Sequence, residues 1–291
     1  MAVLQIDHET VYNYSLPVAA SRHLAHLLPR ECGGHRWLSH TLEISPAPVF
    51  REERLDVFGN RALLFSLEEE HTVFRIKASG VAEVRRAEPP KDSVPWEEAA
   101  ARAARPAEPG DWEACAFAFP SPMVSFNSAV RRYAEESFTP RRPLAEAAAD
   151  LTGRIYREFK YAPASTKIGA MPAEILRERH GVCQDFAHFM AACMRSLGLP
   201  CCYVSGYLLT KAPPGQAKLV GADATHAWVS VYLPGFGWAD LDPTNNLIVG
   251  DEHITVARGR DFSDVSPLKG VIMGGGPHTV KVAVNVGPPQ I

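Results

Sequence analysis

No apolar run in the 291 residues approaches the ~20 that a membrane-crossing helix needs, so no such helix is expected. The N-terminal stretch MAVLQIDHETVYNY has no basic segment followed by an apolar one, so no secretory leader is expected either. An excess of one charge is also lacking: 30 Lys and Arg against 33 Asp and Glu leave a formal net charge of −3. That balance argues against nucleic acid and against an anionic membrane as partners. The basic pairs Arg131-Arg132 and Arg141-Arg142 sit among acidic residues and fit solvated helix faces. Six scattered cysteines form no disulfide framework, and adjacent Cys201 and Cys202 would point to opposite faces of a strand. A reduced, cytoplasmic setting is the expectation. There is no Asp-x-Asp-x-Asp calcium loop, and Gly274-Gly275-Gly276 lacks the Lys-Ser/Thr that would make it a phosphate loop. No cofactor and no metal are therefore expected.

What is present is ordinary globular material, 46% hydrophobic and 22% charged, enough to bury a substantial core. The spacing predicts a β-sandwich over residues 1–86. Arg54–Arg61 enters a turn, Leu63–Leu67 leaves it, and in Val73–Val84 the residues Phe74, Ile76 and Ala78 share a face. Residues 87–111, with prolines at 89, 90, 95, 106 and 109, form a Pro/Ala/Glu-rich linker with one short helix at Trp96–Arg105. Residues 112–291 mix helices with antiparallel strands and end in a strand marked by Val280, Val282, Val284 and Val286. The whole is an α+β chain.

Two features in the second half carry chemistry. In Gly181-Val182-Cys183-Gln184-Asp185-Phe186-Ala187-His188, a helix begins at or just before Cys183, with Phe186, Phe189, Met190, Cys193 and Leu197 on one face and a stop at Gly198. At a helix start the free amides and the dipole stabilise a thiolate and can receive an oxyanion. Gly181 would leave room for a substrate backbone. From position alone, Cys183 is either such a nucleophile or a small buried residue. Cys193, on the apolar face, is structural, and His188 is a packing or surface histidine.

The other feature is a hairpin. His226, Trp228, Ser230 and Tyr232 share one strand face, Pro234-Gly235-Phe236-Gly237 turns, and Trp238 to Asp242 returns. If Tyr232 faces Trp238, Asp242 falls opposite Trp228, one diagonal step from His226; a one-residue slip turns it away. A thiol, an imidazole to take its proton and a carboxylate to orient the imidazole make a covalent-catalysis set. Asp240, two residues earlier on the same face, is the fallback carboxylate. A zinc site from His180, Cys183, His188 and Cys193 fits no familiar spacing, and His188 lies about 140° round a helix axis from Cys183.

These motifs, with Leu241-Asp242-Pro243-Thr244, Ser205-Gly206-Tyr207, Gly259-Arg260-Asp261-Phe262 and Phe58-Gly59-Asn60, resemble the bacterial transglutaminase-like family over nearly the whole chain apart from its Pro-rich middle. The resemblance implies a papain-like core over 112–291, preceded by a β-rich region, with Cys183, His226 and Asp242 as a triad. Cys183 would form a thioester from a peptide, isopeptide or glutamine amide, resolved either by water or by an amine. The implied partner is a protein or peptide substrate bearing a side-chain amide or isopeptide. A fold that kept the motif and lost the activity, leaving a binding module, is the alternative. Animal transglutaminases carry an upstream tryptophan for the oxyanion. No tryptophan lies between Trp112 and Cys183, so Gln184 is the candidate for that role and Trp228 for substrate contact.

Overall fold

The computed structural model describes residues 1–30, 32–163, 169–209 and 225–289. Its first element, β1 (Ala2–Ala25), is bent near Pro17, which has no N–H to give a ladder. Around that bend the pairing with β5 shifts between Asn13 and Val18. β2 (His35–Ser45), β3 (Phe50–Leu55), β4 (Arg61–Leu67) and β5 (His71–Val84) complete the N-terminal strands. They join in the order β2-β5-β1-β4-β3. The turn before β4 closes where Asp56 accepts the amides of Phe58 and Asn60, with Gly59 at φ +73°. As the alternation predicts, Phe74, Ile76 and Ala78 of β5 point inward, onto Leu63, Phe65 and Leu67 of β4.

The middle segment is held against the protein. Helix α1 (Trp96–Ala104) falls where the sequence places it, and α2 (Pro109–Cys115) follows, running into a 3-10 turn at Ala116–Ala118. Val94 and Trp96 pack on the helical core, and buried Asp111 accepts the Tyr232 hydroxyl at 3.1 Å.

Then come α3 (Ser128–Glu135), α4 (Leu144–Glu158), β6 (Lys160–Tyr161), α5 (Pro172–Glu178), β7 (His180–Gly181) and α6 (Cys183–Ser196). The core sheet is built from β8 (Cys201–Leu208), β9 (Thr225–Leu233), β10 (Gly237–Asp242), β11 (Leu247–Ile248) and β12 (His253–Gly259), in the order β11-β10-β9-β8-β12. Helix α6 is buried from Asp185 to Arg195, more fully than a single apolar stripe suggests, because other helices and the β8–β9 face enclose it. It stops at Gly198, whose φ of +79° a side chain would resist.

After α7 (Phe262–Val265), β13 (Leu268–Gly274) and β14 (His278–Gly287) end the chain. The sequence places this last strand with the second domain; the structure returns it to the first. β14 pairs antiparallel with residues 5–14 of β1, and β13 with residues 18–25. The N-terminal region is thus one curled seven-stranded sheet closed by the C-terminus. The physical reason is edge pairing: β1 offers a second edge that local strands leave open. The two sheets share a core in which Leu4, Ile6, Val84, Val284 and Val286 meet Tyr207, Ile254 and Val256. The Asn60 side chain, wholly buried, exchanges hydrogen bonds with the Arg258 backbone across that seam. Among the described residues no helix is long and apolar enough to cross a membrane.

Candidate active site

Cys183 is the first residue of α6, partly exposed, and its thiol is free. The turn before it is fixed by Asp185, whose carboxylate accepts the Val182 amide at 2.9 Å. Asp185 also fills the space beside Gly181, where a Cβ would come within 2.9 Å of it. Gly181 is therefore required by Asp185 and leaves no opening for a substrate, which corrects the sequence expectation. With Val182 committed, the amides of Cys183 and Gln184 are among the first-turn groups without intrahelical acceptors. Gln184 is partly exposed beside the thiol.

The hairpin adopts the register that brings the other two groups together. Trp238 pairs with Tyr232, Asp240 with Ser230 and Leu241 with Val229. His226 Nε2 then donates to Asp242 Oδ2 at 2.7 Å. The Cys183 side chain adjoins the imidazole and favours its charged form. Since Nε2 serves the carboxylate, Nδ1 is the nitrogen left for the thiol. Burial disfavours a charged imidazole here. The hydrogen bonds and charges of Asp242 and Cys183 outweigh it and raise the His226 pKa to about 10.

Asp242 is completely buried. Burial alone would raise its pKa, yet five donors overturn that and hold the carboxyl well below the usual range. Oδ2 receives His226, Asn245 Nδ2 at 2.7 Å and His253 Nε2 at 3.1 Å. Oδ1 receives the amides of Thr244 at 2.9 Å and Asn245 at 3.3 Å. Pro243 ends the strand, and the turn folds these amides back onto the carboxylate. Asp240 is engaged elsewhere: its Oδ2 takes Arg86 Nη1 at 2.5 Å and the Trp228 indole N–H at 3.2 Å. Trp228 has no exposed surface, so it is not a substrate contact. It is a wall, with its ring centroid 6.0 Å from that of His226 and 5.2 Å from that of His253.

The four residues of the zinc alternative are not brought together. Buried His188 accepts the Phe262 amide at 3.1 Å and stacks on Tyr203. Burial lowers its pKa to about 4. Buried Cys193 lies against the Val130 carbonyl. The one trio of metal-type donors among the described residues is His226, Asp242 and His253. An ion there would take the same nitrogens that hold the carboxylate.

Residues 4–83 match the family model for the bacterial transglutaminase-like N-terminal region, and residues 131–243 match that of the transglutaminase-like superfamily. An uncharacterised protein of Mycobacterium tuberculosis is 41% identical over 297 residues, covering 98% of this chain and 92% of the relative. The chain belongs to the transglutaminase-like superfamily. A protein-glutamine gamma-glutamyltransferase of Pseudomonas aeruginosa is 33% identical over 106 residues, which is 35% of this chain and 16% of that protein. A solved structure from Cytophaga hutchinsonii, provisionally described as a cysteine protease, superposes with a TM-score of 0.76. It covers 99% of this chain and 91% of its own, at 19% identity, so the whole two-sheet arrangement is shared.

Several transglutaminase-like motifs are structural here. Gly206 pairs with His226, and a Cβ on it would lie 2.5 Å from the Trp228 ring and 2.1 Å from the Ile254 carbonyl. Asp261 caps α7 and accepts the Met123 amide. Three site neighbours were missed from sequence. Asn245 adjoins the Asp-Pro-Thr motif and was in reach of an Asx-turn argument. His253 lies on a different strand and had no local signal. Tyr161, half exposed, pairs with Gly181; burial and then the neighbouring Cys183 push its phenol pKa up.

Proposed function

We propose that the chain is a cysteine-dependent enzyme that transfers the acyl group of an amide through a thioester on Cys183. One observation carries the reading: His226 is hydrogen-bonded to the buried Asp242 and adjoins Cys183, whose side chain favours the charged imidazole. The imidazole draws the thiol proton, and Asp242 fixes its tautomer and stabilises the imidazolium. The thiolate attacks the amide carbon, and the oxyanion is received by the amides of Cys183 and Gln184. Collapse breaks the C–N bond, and His226 gives its proton to the leaving amine or ammonia. Water or a primary amine then attacks the thioester, His226 takes its proton, and the C–S bond breaks to restore the thiol.

Support for amide chemistry comes from the 106-residue likeness to the Pseudomonas protein-glutamine gamma-glutamyltransferase. The test combines the purified protein with a glutamine-containing peptide panel and isopeptides, with and without a primary amine. Ammonia, amine incorporation and backbone cleavage are followed. Turnover that disappears in Cys183→Ala is expected. Wild type and Cys183→Ala that cannot be told apart across the panel would sink the reading and leave a binding module.

A further inference from the structure

A cavity of about 470 Å³ lies at the seam of the two sheets, and no member of the Cys183–His226–Asp242 group lines it. Its charge is one-sided. Among the described residues the charged lining is Arg30, Arg85, Arg86 and Arg258 against the single carboxylate of Asp240. That carboxylate is already paired with Arg86. Lysine or arginine is rarely buried unless paired, so a cavity whose described lining carries four guanidiniums against one carboxylate requires an account.

The hydrogen bonding is incomplete in the same place. Arg30 is 5% exposed, and its Nη1 serves the Phe58 carbonyl and Asn60 Oδ1. Arg86 places Nη1 on Asp240 and Nη2 on Thr255 Oγ1 at 2.9 Å. The Arg258 guanidinium stands 5.1 Å from the centroid of the Trp238 ring. In all three residues the Nε–H is covered and has no acceptor among the described residues. The three guanidinium side chains come from separate chain segments and line one hollow. Burial and then the repulsion of Arg258 lower the Arg30 pKa to about 10, the direction expected where positive charge lacks a counter-ion.

We propose that this cavity is a binding site for a small carboxylate- or phosphate-bearing anion, held by Arg30, Arg86 and Arg258. Its volume lies in the range of roughly 300–1,000 Å³ typical of small-molecule sites. Guanidiniums match the paired oxygens of a carboxylate or phosphate, and the Trp238 ring supplies an apolar wall for the body of the ligand.

The full-length protein would be titrated with inorganic phosphate, pyrophosphate and citrate, against sodium chloride at matched ionic strength, by calorimetry and thermal unfolding. Saturable one-to-one binding is expected, with a rise in Tm of roughly 4–5 °C at a hundredfold excess over Kd. Preference for the phosphate arms or for citrate names the acid group. Arg258→Gln should weaken binding at least tenfold. Buried Ser230 lines the cavity opposite Asp240, so Ser230→Asp places a second carboxylate there and should abolish binding. Stabilisation of the wild type no greater than that from chloride overturns the proposal. Binding that persists unchanged in either folded variant does so too.

Discussion

The two faces of β9 are chemically opposite. Ala227, Val229 and Val231 lie in the helical core under α6, among apolar neighbours. His226, Trp228 and Ser230 face the other way, where Asp240, Asp242, His253 and Arg86 gather. The first face can tolerate any packing that fills it; the second holds buried charges that survive only because each finds a named partner. The N-terminal sheet delivers Arg86 to that second face, so it takes part in building the site's surroundings.

The contrast can be broken from either side. The largest expected effect is on chemistry: Cys183→Ala should cut turnover by about 10⁴-fold or more while leaving the thermal midpoint nearly unchanged. Asp242→Asn should follow at about 10²–10⁴-fold, since five donors would face a group that can no longer accept from all of them. On the apolar face, Phe189→Ala should cost about 3–5 kcal/mol of stability in urea unfolding, while the thiol of the folded fraction keeps its alkylation rate. Arg86→Met should give an intermediate result: a loss of about 3 kcal/mol from stranding Asp240, with reduced turnover as Trp228 shifts.

The smallest effect is in pH. A raised folded-state pKa makes the charged His226 stabilising below its unfolded value near ~6.5, and that contribution fades as pH climbs through about 10. Asp242 works in the opposite direction: its contribution is present above the ordinary Asp value near ~3.9 and is lost only as pH falls through its depressed pKa. The stability gap between wild type and His226→Ala should therefore narrow from pH 7 to pH 10. A gap that widens would contradict the His226–Asp242 pairing. Alkylation of Cys183 should slow in His226→Ala.

Much of this site was legible in sequence because its signals are local. The α6 start, the Gly198 stop and the Pro-Gly-Phe-Gly hairpin are all encoded within a few residues of where they act. Once the turn is placed, the period of two puts Asp242 on the side of His226. What escaped is long-range. His253 comes from another strand, and Arg86 meets Asp240 from 154 residues away. Trp228 looked available because an aromatic on a strand carries no mark of which layer will cover it. The same gap hid the destination of β14, whose valine alternation identifies a strand and says nothing of its neighbour.

That destination has a consequence for biosynthesis. The edge of β1 that β14 occupies is synthesised well ahead of its partner, since Tyr14 pairs with His278. Until residues 278–287 have been made, β1 waits with an unsatisfied row of amides and carbonyls, open to any other nascent chain. A fragment released before residue 278 therefore carries a sticky edge in place of a finished sheet.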